Sequence, residues 1–142
     1  MSFTSIRIYT DGGARGNPGP AAGAAVLKRF EDGVEGEVIA EAAKYLPHDT
    51  NNQAEYTGII VGLQKAKELG VKHVDMRMDS ELAVKQLNGI YRVKNPELAK
   101  RFIEVKNLCT AFASVTFTHV RREQNTEADA LVNKTIDAHL ER

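Results

Sequence analysis

The stretch IYTDGGARGNPGP, residues 8–20, decides how the fold begins. Residues 6–10, which lead up to Asp11, are β-branched or aromatic apart from Arg7, with apolar side chains at alternate positions, as in a half-buried strand. The glycines and prolines favour a turn, because glycine permits positive φ and proline lacks a backbone donor. We therefore expect Asp11 at a strand end, with Gly12 and Gly13 allowing close approach of a ligand. An aspartate before glycine also fits a simple turn.

Length and composition indicate one domain spanning residues 1–142. The chain is 42% hydrophobic and 27% charged, as in ordinary globular proteins, and its apolar runs are shorter than the roughly 18 residues of a membrane span. The N-terminus lacks the segments of a secretion signal, and the single cysteine, Cys109, excludes an internal disulfide. We expect a cytoplasmic monomer with no membrane contact and no obligatory protein partner.

The overall charge gives no argument for a nucleic-acid partner. Lysine and arginine number 19, aspartate and glutamate also 19, so the formal net charge is zero. Any such argument rests on local basic clusters, each of which alone fits a solvated surface.

The chain divides into alternating strand-like and helix-like segments. AAGAAVLKRF and GEVIAEAAKYL, joined by EDGVEG, predict a hairpin, and DTNNQAEYTGIIVGLQKAKELG predicts a helix capped by Asp49 or Thr50 and ended by Gly70. VKHVDMRMDS predicts a strand, SELAVKQLNG and NPELAKRFIEVKNLCTAF two helices, and SVTFTHV a strand. The tail predicts a last helix with these residues inward: Ala128, Leu131, Val132, Ile136 and Leu140.

This order predicts an α/β fold with a five-stranded mixed sheet, its first three strands antiparallel and helices on both faces. A helical crossover requires the first and fourth strands to be parallel. If they are neighbours, Asp11 and Asp79 project from the same edge of the sheet. Glu55, near the start of the crossover helix, and Asp129, near the start of the last helix, complete a candidate cluster.

Four converging carboxylates predict a metal site, because ionised acids repel one another unless a cation lies among them. Oxygen ligands favour Mg²⁺ or Mn²⁺. Two such ions promote hydrolysis of phosphodiesters. The alternative is four scattered acids among the 19 of the chain.

Four segments, in order over nearly the whole chain, resemble the ribonuclease H family, type 1: YTDGGARGNPGPAAGAAVL, TNNQAEYTGIIVGL, MDSELAVKQL and HVRREQNTEADALVN. The resemblance implies a ribonuclease H-like fold. It also implies that Asp11, Glu55, Asp79 and Asp129 are catalytic and bind two Mg²⁺ ions, with Mn²⁺ as a substitute. The implied reaction is hydrolysis of the RNA strand of an RNA/DNA hybrid, leaving 5′-phosphate and 3′-hydroxyl ends.

The resemblance assigns Asn17, Asn51 and Gln53 to minor-groove contacts and Thr50 to a phosphate contact. Amides suit this task because the 2′-hydroxyl that distinguishes RNA both donates and accepts hydrogen bonds. Each of these residues also fits a local role as a turn or cap residue.

Two departures from the family pattern matter. The loop VRREQNTEAD lacks the histidine that many members carry, which leaves Glu123 as the nearest titratable candidate for a catalytic role. The connection LNGIYRVKNPELAK is too short for a basic, tryptophan-containing protrusion, so Tyr91, Arg92 and Lys94 are the candidate contacts to the DNA strand.

Two other functions remain open at this point: a noncatalytic nucleic-acid-binding domain and a nuclease of broader specificity that also cuts double-stranded RNA. Four acids facing a polyanion argue against the first, because without metal ions they would repel phosphates.

Overall fold

The structure, a computed structural model, describes residues 4–140. Its strands are β1 (Ser5–Ala14), β2 (Gly19–Glu31), β3 (Val34–Asp49), β4 (His73–Met78) and β5 (Ser114–His119). Its helices are α1 (Asn51–Glu68), α2 (Glu81–Leu87), α3 (Pro96–Cys109) and α4 (Thr126–Leu140), with a 3-10 turn at Arg122–Gln124.

The strands form one mixed sheet in the order β3-β2-β1-β4-β5. β1 pairs antiparallel with β2, and β2 with β3, whereas β4 lies parallel to both β1 and β5. This confirms the predicted fold class, including the parallel neighbours β1 and β4 that the crossover through α1 requires.

β1 does not end at Asp11, which corrects the expectation from the sequence. The strand continues to Ala14, paired with Ala21 of β2, and the turn is confined to residues 15–18. Gly12 remains in the strand, paired with Gly23 of β2, and α1 lies directly against it: a Cβ there would stand 2.2 Å from the carbonyl carbon of Ala54. The glycine therefore serves the close approach of a helix rather than a turn.

The loop of the hairpin between β2 and β3 is shorter than the six-residue connection EDGVEG predicted from the sequence. β2 extends to Glu31 and β3 begins at Val34, so that only Asp32 and Gly33 lie in the loop. Their φ angles are 53° and 75°, as a two-residue turn between twisted strands requires.

Helices cover both faces of the sheet. One face packs against α1, α2 and α3 around a core that includes Ile6 and Ile8 of β1, and the opposite face packs Ala22 and Ala24 against α4. Leu140 is an exception to the predicted inward face of α4, because it lies 49% exposed in the last turn. Within residues 4–140, none of the helices is both long and apolar enough to span a membrane.

Candidate active site

Asp11 and Asp79 occupy equivalent places on neighbouring strands. The parallel ladder between β1 and β4 ends at the pair Thr10 and Met78, and each aspartate is the next residue of its strand or chain. Directly after Asp79, Ser80 begins α2 by accepting a hydrogen bond at Oγ from the backbone N–H of Ala83 (3.2 Å). Two carboxylates therefore leave the sheet side by side.

Helix α1 brings Glu55 to the same place. Thr50 caps the helix, its Oγ1 accepting from the backbone N–H of Gln53 at 3.2 Å. The helix lies so close to β1 that a Cβ on Gly58 would stand 2.5 Å from the carbonyl oxygen of Asp11. The glycines at positions 12 and 58 thus allow the close packing that sets the distance between Glu55 and the sheet.

Asp11, Glu55 and Asp79 meet. Each offers one carboxylate oxygen, and these oxygens lie within 4.8 Å of one another. An all-oxygen donor set of this charge fits a hard divalent cation such as Mg²⁺ or Mn²⁺.

Asp129 joins this group from the start of α4. It lines the same cleft of about 370 Å³ as Asp11, Glu55 and Asp79. Buried Asn125 fixes the start of α4 through two hydrogen bonds. Its side-chain Nδ2 donates to the backbone carbonyl oxygen of Thr10 at 2.9 Å, and its backbone carbonyl oxygen accepts from the N–H of Asp129 at 3.1 Å. The structure thus brings together the four acids named from the sequence.

Crowding of these acids changes their proton affinity. Burial, followed by the charges of Asp79 and Asp129, raises the pKa of Asp11 to about 7, although a hydrogen bond from the Gly12 N–H opposes this rise. Burial and the charges of Asp11 and Asp79 raise the pKa of Glu55 well above its usual range. A bound cation would relieve this repulsion, which is the behaviour of a metal site.

The amides of Asn17 and Asn51 tie the first hairpin to α1. The N–H of Asn51 donates to Oδ1 of Asn17 at 3.0 Å, and Oδ1 of Asn51 accepts from the N–H of Ala14 at 2.8 Å. Both amide oxygens are thereby used within the protein. Each side chain retains its Nδ2 donor, which has no hydrogen-bond partner among residues 4–140.

Gln53 lies elsewhere. It is 8% exposed and lines a second cleft of about 520 Å³, shared with Thr50, Asn95, Lys100 and Arg101. Its Oε1 has no hydrogen-bond partner in the part of the chain that the structure describes. The structure therefore places Gln53 and Thr50 together in this second cleft, outside the lining of the acidic cleft.

Arg122, rather than Glu123, lines the acidic cleft. Both residues lie in the 3-10 turn before α4, but Glu123 is exposed and is not among the residues that form the cleft. The guanidinium of Arg122 acts to lower the pKa of Glu55, against the larger effects that raise it. The sequence carried a signal for this, since Arg121 and Arg122 form a basic pair in the loop that lacks the histidine.

Tyr91, Arg92 and Lys94 lie exposed between α2 and α3, away from the lining of the acidic cleft. Tyr91 Oη accepts from Lys85 Nζ at 3.4 Å, and its ring lies 5.1 Å from that ammonium. The structure thus places the three residues on one surface loop.

Comparisons with known proteins bear on this arrangement. A family model described as "Reverse transcriptase-like" matches residues 9–135. The N-terminal RNase H domain of a Mycobacterium tuberculosis protein, solved as a fusion with maltose binding protein, superposes with a TM-score of 0.89, is 39% identical, and the match covers 97% of each chain. The chain belongs to the ribonuclease H family.

Two further comparisons show how far the likeness extends. LC11-RNase H1, solved in complex with an RNA/DNA hybrid, is 40% identical with a TM-score of 0.86, over 95% of this chain and 99% of that one. The full bifunctional protein of Mycobacterium tuberculosis, whose N-terminal RNase H domain was solved as the fusion, is 40% identical over 133 residues, which make up 94% of this chain but 36% of that protein. The chain thus spans about a third of the length of that relative.

Proposed function

We propose that this chain is an endoribonuclease that hydrolyses the RNA strand of RNA/DNA hybrids. The observation that carries the proposal is the meeting of Asp11, Glu55 and Asp79, whose oxygens lie within 4.8 Å in an open cleft. The complex of LC11-RNase H1 with a hybrid supports the choice of substrate, because that protein is 40% identical to this one.

The four acids would hold two Mg²⁺ ions, with Mn²⁺ as a substitute. When bound, such a pair activates the attacking water and stabilises the leaving oxygen, giving 5′-phosphate and 3′-hydroxyl ends. Asp11 and Glu55 would release their protons as the cations bind, because a nearby cation offsets the burial and the neighbouring negative charges that raise their pKa values. Asp129, beside Asp11, would be the fourth metal-binding carboxylate.

Arg122 supplies a positive group where many members of the family carry a histidine. From the wall of the acidic cleft its guanidinium would donate hydrogen bonds to the phosphate of the RNA strand near the scissile bond. An arginine remains charged throughout the pH range of activity, so its role is to bind and orient rather than to transfer a proton. Glu123, at the surface, would affect turnover less.

Recognition of RNA would fall to the two amide donors left free where the first hairpin meets α1. The Nδ2 groups of Asn17 and Asn51 suit the 2′-hydroxyl and the acceptor atoms of the minor groove. Gly12 and Gly13 line the acidic cleft, and the space left at Gly13 would let the RNA strand approach the backbone closely, whereas α1 occupies the corresponding space at Gly12.

The second cleft and the α2–α3 loop would bind the rest of the duplex. In the second cleft, Thr50 and Gln53 would contact the duplex, Thr50 by binding a phosphate. Tyr91, Arg92 and Lys94 would contact the DNA strand from their exposed loop.

One domain acting as a monomer suffices for this proposal, because all four acids come from a single chain. A cytoplasmic location fits a protein with one cysteine, partly buried and unpaired.

The test is incubation of the protein with a labelled RNA/DNA hybrid and with the matched RNA and DNA duplexes, in Mg²⁺, Mn²⁺ or a chelator. Metal-dependent cleavage of the hybrid's RNA strand alone is the expected result. Cleavage of the RNA duplex as well would indicate broader specificity. Binding without cleavage in either metal would overturn the proposal in favour of a noncatalytic binder.

A further inference from the structure

The side chain of Arg101, on α3, forms hydrogen bonds to the beginning of the neighbouring helix α1. Its Nη1 donates to the carbonyl oxygen of Gln53 at 2.7 Å and to Oγ1 of Thr57 at 2.9 Å. Its Nη2 donates to Oδ2 of Asp49 at 3.0 Å. One guanidinium therefore contacts the residue before the cap, the first turn and the second turn of the helix.

Asp49 extends this contact to the cap itself. Its second carboxylate oxygen, Oδ1, accepts from the backbone N–H of Thr50 at 2.9 Å, while Oδ2 is bound to Arg101. Asp49 and Arg101 are both part-buried, with 21% and 27% of their side chains exposed. Charge-assisted hydrogen bonds in such a setting are stronger than those of freely exposed ion pairs.

The helix that carries Arg101 is itself well anchored. Asn95 caps α3 by accepting from the N–H groups of Glu97 and Leu98, at 2.9 and 3.0 Å. Leu98 and Val105, on either side of Arg101 in the sequence, are buried in the core. A helix anchored in the core along one face thus presents the guanidinium to α1 in a fixed position.

We propose that Arg101 is a positioning residue for hybrid binding, which fixes the turn that carries Thr50, Asn51 and Gln53. This inference rests on the proposed function, which assigns substrate contacts to that turn. Arg101 would act through these residues and not by its own contact with the reacting phosphate.

The acidic cluster is held independently of Arg101. Glu55 takes its place from the close packing of α1 on β1, where Gly58 adjoins the carbonyl oxygen of Asp11. Loss of Arg101 would therefore loosen the start of the helix while leaving the metal ligands in place. Contacts made equally in the ground state and the transition state appear in KM rather than kcat.

The experiment compares Arg101→Ala and Arg101→Lys with the unchanged protein. The control variant is Lys65→Ala, which removes a cation from the far end of α1 where Lys65 pairs with Glu68. Measured are KM and kcat on the hybrid, hybrid affinity in a chelator, Mg²⁺ affinity by calorimetry, and the melting temperature.

For Arg101→Ala we expect KM and the hybrid dissociation constant to rise about tenfold, as when one molecule in about ten keeps a binding-competent turn. We expect kcat to change less than about twofold and the Mg²⁺ affinity to stay constant. Arg101→Lys should resemble Arg101→Ala, because a single ammonium cannot reach all the acceptors of the guanidinium fork. Lys65→Ala should behave as the unchanged protein.

Full hybrid affinity in Arg101→Lys alongside loss in Arg101→Ala would overturn the inference, since a bare charge in the cleft would then suffice. Parallel losses of Mg²⁺ affinity and hybrid affinity would overturn it too, because they indicate general loosening. If the unchanged protein binds but does not cleave the hybrid, the proposed function fails, and the ratio of hybrid affinities still decides the role of Arg101.

Discussion

Asp11 and Asp79 are the first residues beyond the last paired positions of two parallel neighbouring strands. The register of this parallel pair places the residues after Thr10 and Met78 at the same level, so two acids 68 positions apart in the sequence lie side by side. Glu55 then needs only the close approach of α1 to bring its oxygen within 4.8 Å of theirs.

Removing one of these charges at nearly constant shape should abolish cleavage. We expect Glu55→Gln and Asp79→Asn each to lower kcat by about 10³-fold or more, because each removes a charged metal ligand. Hybrid affinity should persist, since the substrate contacts remain. Single-turnover cleavage and a binding titration check this. Activity retained in either variant would remove that residue from the metal site.

Arg122 and Glu123 can be told apart by neighbouring substitutions. Arg122→Ala should lower kcat by about 10- to 100-fold through loss of a charge-assisted contact to phosphate. Glu123→Gln should lower turnover far less, because the side chain lies at the surface outside the cleft. Steady-state kinetics on the hybrid provide the comparison. The reverse order of effects would restore Glu123 as the residue that stands in for the histidine.

Asn51→Asp tests the role of the free amide donor. The substitution keeps an oxygen that accepts from the Ala14 N–H but replaces the Nδ2 donor with a second acceptor. We expect an intact fold and a KM for the hybrid raised about tenfold or more by loss of a donor and repulsion of the polyanion. Asn51→Ser, which keeps a donor, is the matched comparison. An unchanged KM in Asn51→Asp would show that the donor does not contact substrate.

Gly58→Ala should destabilise the protein by about 1–3 kcal/mol or more, because the added methyl meets the carbonyl oxygen of Asp11 at 2.5 Å. Gly13→Ala is the control for stability, since its Cβ meets only Val132 Cγ1 at 3.9 Å. Thermal or denaturant unfolding measures both. Equal melting temperatures would mean that α1 does not depend on this close contact.

The metal-free protein should lose stability as the pH rises from about 4 to about 7. The pKa of Asp11 is about 7 in the folded chain against an ordinary value of 3.8, so ionisation favours the unfolded state throughout this range. Cations bind the ionised form, so Mg²⁺ affinity should rise with pH over the same interval and level off above it. Calorimetric Mg²⁺ titrations at several pH values would show this. An affinity independent of pH would contradict the assignment of Asp11 as a ligand.

The glycines near Asp11 show where reasoning from the sequence stopped. Gly12 was expected in a turn, because a glycine's freedom of φ is its most visible property. In the fold it is extended, and its missing side chain makes room for Ala54. Such a requirement belongs to a contact between distant segments and has no local pattern.

Arg122 and Glu123 differ for a similar reason. Both are charged neighbours in one loop, and local sequence does not say which of them faces the cleft. Asn125 decides this by binding the carbonyl oxygen of Thr10, which fixes how the loop enters α4.

The sequence by itself determined the order of strands and helices and the mixed sheet, because periodicity and caps are written locally. Its resemblance to the ribonuclease H family named the four acids. Only the tertiary structure decided which side chains share a cleft. It placed Arg122 with the acids and Gln53 beside Arg101, since these contacts depend on how closely α1, α3 and α4 pack on the sheet and on each other. That packing depends on side-chain volume across the whole core, a property that no single segment of the chain carries.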